Sequence, residues 1–288
     1  MKSYTQHKQE VAGYRDVHET VQILEKIAAG QLHTLQRTAE ALELYTHTMF
    51  NLMLRLETLS GRSLFSRSSS QRSTSNVELA VILSGDKGLV GDLWHKLYEK
   101  YHEHYYGKQV ELLVIGERGQ LLWPEGGLHK VTHFSFSDRF PTHQELIELA
   151  NSLHNAVAMD LYSSVSVLYV EATSIITHEP VVTDLLPLLP RINMPQTASL
   201  EQHLGLPIVD VSYEELANDL MKKYLVNRLQ QLSMEVALSE FSARTIGLEH
   251  AGAKTQTIID DTMRKYRRWR RHEDTQKQLE RFSSINAL

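Results

Sequence analysis

Apolar residues recur at helical spacing in two long stretches, one at each end of the chain. From about Val11 to Leu59 there is no proline, and steps of four and three from Val17 reach Val21, Leu24, Ala28, Gln31, Leu35, Thr38, Leu42, Tyr45, Met49, Leu52 and Leu56. A heptad seam broken at Gln31 and Thr38 predicts one helix of roughly 70 Å at 1.5 Å per residue. A helix that long outruns the cover of an ordinary domain and needs a partner helix along its length. The second stretch runs from about Ser212 to Ser283, with apolar positions at Leu216, Leu220, Leu225, Leu229, Leu232, Val236, Ala243 and Ile246, then Ile259, Met263 and Tyr266 in a shifted phase. Ser212 followed by Glu215 has capping-box spacing for its start. Gly247, Ala251, Gly252 and Ala253 are small enough for close helix approach or a bend.

Between these stretches the period changes. Val77–Leu83, Val110–Ile115 and Ser164–Val170 read as buried strands, with helices from Leu93 to about Tyr106 and near Thr142 to Asp160. That alternation predicts parallel βαβ units with helices on both sheet faces. Prolines at 180, 187, 190, 195 and 207 predict irregular chain or an edge strand over Glu179–Pro207. The serine- and arginine-rich 60–76 segment reads as an exposed linker. The predicted fold is therefore α/β plus long helical coiled coil. The N- and C-terminal helices (1–59 and 208–288) form an antiparallel coiled coil, and a Rossmann-like α/β domain (77–207) is inserted after the linker.

Composition narrows the chemistry. Hydrophobic residues at 42% and charged residues at 23% of 288 put the chain in the globular range. A net charge of −5 argues against a protein whose main task is coating nucleic acid or anionic membrane. The absence of cysteine removes disulfides, thiolate metal sites and a cysteine nucleophile. The first residues lack the apolar stretch of a secretory signal, and no window reaches the roughly 18 apolar residues of a membrane span.

Candidate sites are sparse. Gly85, Gly88 and Gly91 follow a strand, but their spacing matches neither the dinucleotide fingerprint nor a phosphate loop ending in Gly-Lys-Ser/Thr, so a tight strand-to-helix turn is expected. His102 and His104 are the densest pair among fifteen histidines; alternate residues diverge on a helix, so no metal and no cofactor are expected there. The strongest charge feature is Arg264–Arg271, six basic residues in eight with Tyr266 and Trp269. On a helix it covers most of the circumference, so it must meet nucleic-acid phosphates, an anionic membrane or acidic loops of a protein. A nucleic-acid-binding coiled-coil protein is thus the alternative function.

With these residues laid out, the chain resembles the gamma subunit of F-type ATP synthases over nearly its whole length. Ser239-Glu-Phe-Ser-Ala-Arg-Thr-Ile-Gly-Leu248 is similar to the family's Ser-Glu-His-Ala-Ala-Arg-Met-x-Ala-Met. From there the resemblance runs without a gap to Leu288, through Tyr266, Arg270, Thr275, Gln276 and Glu280. Ser84-Gly-Asp-Lys-Gly-Leu-Val-Gly-Asp-Leu93 resembles Ser-Asp-Arg/Lys-Gly-Leu-Cys-Gly-Gly-Leu, Val114-Ile-Gly116 the second-strand signature, and Glu179–Leu188 the Pro-Val-x-x-x-Leu-Leu-Pro-Leu stretch. In the first helix, Ile27-Ala-Ala-Gly-Gln-Leu32 is similar to Val-Ala-Ala-Ser-Lys-Leu/Met.

The resemblance implies a non-catalytic rotor: a shaft seated among alternating alpha and beta subunits, its foot on the membrane ring of c subunits and the epsilon subunit, at the cytoplasmic face of the inner membrane. Rotation driven by protons or sodium ions would bias the beta catalytic sites in turn. The implied beta-contact residues are Arg268, Arg270, Arg271, Thr275 and Gln276 on the last helix and Leu24 on the first. Arg271 stands where the family has glutamine, Glu19–Leu24 replaces a basic Lys-Ile-Thr-x-Ala-Met start, and His33-Thr-Leu-Gln36 replaces Arg-Arg-Ala-Gln. These departures imply a divergent member, of an alternative or sodium-linked ATPase.

Overall fold

The computed structural model describes residues 4–60, 75–125, 127, 129–138, 140–174, 176–188 and 211–285. The serine- and arginine-rich run 61–74 and Pro190, Pro195 and Pro207 lie outside the described residues. Helix α1 spans Tyr4–Ser60 and helix α5 spans Tyr213–Ile285, about 85 Å and 110 Å of helix. Between them come β1 (Glu78–Leu83), α2 (Leu93–Tyr105), β2 (Val110–Ile115), α3 (Glu117–Leu122), β3 (Val131–Phe134), α4 (His143–Ala158), β4 (Ser164–Ala172) and β5 (His178–Leu186).

The two long helices run antiparallel. Tyr4 meets Tyr266 with ring centroids 5.7 Å apart, Val21 faces Gly252, and Phe50 meets Tyr224 at 6.0 Å. The α1 seam differs from the sequence expectation in half its positions. Val21, Ala28, Leu35, Leu42, Met49 and Leu56 do face α5, but the intervening positions are Glu25, Leu32, Ala39, Thr46 and Met53, whereas Leu24, Tyr45 and Leu52 are exposed. A helix advances 100° per residue, so a one-residue shift carries a side chain out of the interface. Met53 is about as apolar as the Leu52 it displaces, while Leu32 and Ala39 displace Gln31 and Thr38, which marked where the other phase fails. Thr46 is accommodated because its hydroxyl donates to the Leu42 carbonyl at 2.8 Å.

The sheet order is β3-β2-β1-β4-β5, parallel except for the antiparallel edge strand β5. Strands β1, β2 and β4 are apolar runs buried on both faces, as a covered parallel sheet requires. Helices α4 and α5 cover one face, and α2 packs against β4 and β5 on the other. Thr142 and Glu145 start α4 with a reciprocal capping box. One core joins the sheet, Met49–Leu56 of α1 and Ala217–Val236 of α5; farther along the coil, Ala28 and Leu35 pack on Phe241 and Leu248 in a second cluster. The base of the shaft is thus part of the α/β core, while its upper length is a two-helix seam. Pro180 lies inside β5, which tolerates it as an edge strand.

Candidate functional site

A doubly wound sheet leaves a crevice beyond the carboxyl ends of its strands where the order reverses, and ligands bind there. In this chain the reversal falls between β1 and β4, and the crevice is filled by α5. The Ser239 hydroxyl donates to the Val170 carbonyl at 2.9 Å from the end of β4. One residue on, Glu240 is 4% exposed and forms an ion pair with Arg244, itself 9% exposed. The Arg244 Nε and Nη2 groups both donate to the Gly88 carbonyl at 3.3 Å, and its guanidinium lies over the Phe241 ring, 5.4 Å from the centroid. Buried charges persist where they are paired and hydrogen-bonded, and both conditions are met.

The turn that receives this helix is shaped for it. A Cβ on Gly85 would sit 1.9 Å from Glu240 Oε2 and 2.5 Å from Trp94. From the far side the turn is held by the start of α3. The Ser84 hydroxyl donates to the Ile115 carbonyl at 2.9 Å and accepts from Gly119 N at 2.8 Å, Arg118 N donates to the Gly85 carbonyl, and Asp86 Oδ1 accepts from Glu117 N. Gly116 has φ +105°, and a Cβ there would meet the Ser84 carbonyl at 2.3 Å. The glycines after β1 therefore build a seat for the shaft, as a tight turn, and the N–H groups that open α3 are bonded to that turn. Gly247 abuts the Leu89 carbonyl of the same turn, so of the two α5 glycines it is Gly252 that lets α1 approach.

The residues expected to contact beta subunits lie elsewhere. Arg268, Arg270, Arg271, Thr275 and Gln276 are all exposed on the last turns of α5, where Tyr266 meets Tyr4 of α1 and the Trp269 ring packs on His272. Tyr4, the first described residue of α1, lies at the level of Tyr266, and from Arg270 to Ser283 every side chain of α5 except Glu273 is exposed. Arg270 lies 3.9 Å from Asp274, and the Thr275 hydroxyl donates to the Arg271 carbonyl. Leu24, 40% exposed, is on the outer face of α1 and about 30 Å down the shaft from this group. The histidine pair diverges: the His102 ring packs on Tyr98 and Tyr101, and His104 on Tyr105. Sequence reasoning missed the Glu240–Arg244 clasp, although its two halves were the two segments richest in family motif and the i, i+4 spacing was a usable signal.

No helix among the described residues is long and apolar enough to cross a membrane. The family model described as ATP synthase matches residues 3–288. The ATP synthase gamma chain of Desulfotalea psychrophila is 25% identical over 299 residues, and that of Lachnoclostridium phytofermentans 20% over 292, each alignment covering 100% of both chains. Among solved structures, a chain of the Tetrahymena thermophila mitochondrial ATP synthase central stalk and c-ring aligns with a TM-score of 0.57 at 18% identity, over 81% of this chain and 99% of that one. A chain of the Euglena gracilis mitochondrial ATP synthase gives 0.51 at 10% identity, over 91% and 94%. The nucleic-acid alternative finds no support in these matches. A helical shaft with a Rossmann-like domain clasped to its side, matched along its whole length by one family, identifies the chain as a member of the ATP synthase gamma chain family.

Proposed function

We propose that this chain is the central rotor of an ATP synthase and carries no catalytic site of its own. On this reading ion flow turns a membrane ring of c subunits, the α/β domain and the foot of the coil take up the rotation with the epsilon subunit, and the shaft presents a different side to each beta subunit in turn. A coupling protein of this kind works through differential contact with states of its partners. The chain works at the cytoplasmic face of the inner membrane, held there by the other subunits.

The observation that carries the reading is the asymmetry of the shaft: an antiparallel two-helix coil whose α5 is exposed from Arg270 to Ser283 apart from Glu273, with a domain gripped on one side at Ser239–Gly247. The family match supports the same reading, as does the likeness in fold to a chain of the Tetrahymena central stalk with its c-ring. Arg268, Arg270, Arg271, Thr275 and Gln276 are the beta-facing group, with Leu24 a separate contact lower on the shaft. Arg270→Ala with Arg271→Ala in the reassembled complex lowers coupled ATP hydrolysis severalfold while subunit composition is unchanged. Full coupled activity in that double variant refutes the assignment of these residues.

A further inference from the structure

The bond from Ser239 to the Val170 carbonyl fixes how α5 lies on β4. Alternate residues of a strand share a face, so Tyr169 and Glu171 flank that carbonyl on one side. Glu235, one helical turn before Ser239, lies over them. Its Oε1 accepts from Gln231 Nε2 at 2.9 Å, and Gln231 Oε1 accepts in turn from Arg228 Nη1 at 2.9 Å. Its Oε2 is sealed from solvent and accepts no hydrogen bond of ordinary geometry, although the Tyr169 hydroxyl lies beside it. The charged and titratable groups facing Glu235 are Arg228 on α5 and Tyr169 and Glu171 on β4, and the amide of Gln231 stands between the one cation and the carboxyl.

A carboxylate so placed has one oxygen buried without a hydrogen bond of ordinary geometry and lies near a second carboxylate. Both conditions favour the neutral acid. We propose that Glu235 is a proton-binding site at the seat of the α/β domain on the shaft, tightening the seat when protonated and loosening it when ionised. Burial, and then the Glu171 charge, push its carboxyl above the usual glutamate range, opposed by the Arg228 charge and by the Gln231 and Tyr169 side chains. A group whose folded pKa is raised contributes stability that is complete below its unfolded value, about 4.3, and is lost as pH rises through the folded value. Across that window one proton changes the unfolding equilibrium up to about tenfold per pH unit.

The test uses the full chain. Unfolding equilibria of the wild type and Glu235→Gln are compared from pH 4.5 to 9, and the infrared spectrum of the wild type is searched at pH about 5.5, above the ordinary glutamate value, for a protonated carboxyl band. The proposal expects the wild type to lose stability relative to Glu235→Gln as pH rises, the band to vanish in Glu235→Gln, and Glu171→Gln to shrink the loss and end it at lower pH. A wild-type-to-variant ratio constant across this range, or a wild-type spectrum without the band, overturns it. The infrared measurement stands even if the variant folds poorly. Neither readout involves rotation or partner subunits, so failure here leaves the rotor reading standing.

Discussion

Replacing Gly85 by alanine adds one carbon where the shaft meets its seat. That carbon would lie 1.9 Å from Glu240 Oε2 and 2.5 Å from the Trp94 ring. The carboxylate end of a long side chain ordinarily swings away at little cost, but Glu240 is 4% exposed and held by Arg244. Overpacking of this kind costs about 1–3 kcal/mol, and separating a buried ion pair about 3–5 kcal/mol. The entropy lost from the unfolded chain returns about 0.4–1 kcal/mol. The net expectation is destabilisation of about 3–7 kcal/mol, read by chemical denaturation, with hydrogen exchange rising first in β4 and mid-α5. The controls are Gly13→Ala and Gly30→Ala, both inside α1 with no atom within 4 Å of the added carbon. Each should stabilise by about 0.5–1 kcal/mol. Adding Glu240→Ala to Gly85→Ala removes the collision with the carboxylate and leaves the one with Trp94, so the two losses should fall short of additivity. If Gly85→Ala behaves like the two helix controls, the account of the seat is wrong.

The seam phase is tested by Met53→Ala, at a position 1% exposed, which should cost about 2–5 kcal/mol, against Leu52→Ala, 49% exposed, which should stay within about 0.5 kcal/mol; equal losses in denaturation would contradict the observed register. Glu145 accepts from the backbone and hydroxyl of both Thr142 and Ser137, which pushes its carboxyl down to about 2. Its contribution is present above the unfolded glutamate value near 4.3 and is lost as pH falls toward 2, so acid should release the first turn of α4 in the wild type, and Glu145→Gln should show that release already at neutral pH by hydrogen exchange.

The elements that sequence alone revealed are those in which one period dominates. Val110–Ile115 is a strand to the residue, and two proline-poor heptad runs at the chain ends meet as an antiparallel pair. Strand β3, Val131–Phe134, escaped notice because four residues holding a threonine and a histidine carry too little pattern. The α1 seam was half misread because Val17, Leu24, Tyr45 and Leu52 form a second apolar line one residue away from the buried one, and only the partner helix decides between them. In α5, from Tyr224 to Arg244, burial spreads around the helix because coil and sheet claim different sides, which blurs any single stripe. The clasp was illegible for another reason: the hydrogen bonds between Arg244 and Gly88 span 156 positions of sequence, and no local periodicity reports a contact at that separation.

The height at which α5 is gripped has a mechanical consequence. A torque entering through the α/β domain is delivered to the helix at Ser239–Gly247, and roughly 60 Å of rod remains between that collar and Ser283. Over the lower part of this length, as far as Tyr266, the described residues of α1 brace it. A rod held so winds up under load. If the chain turns as proposed above, the arginine-bearing tip would lag the domain by an angle set by the stiffness of the rod between them.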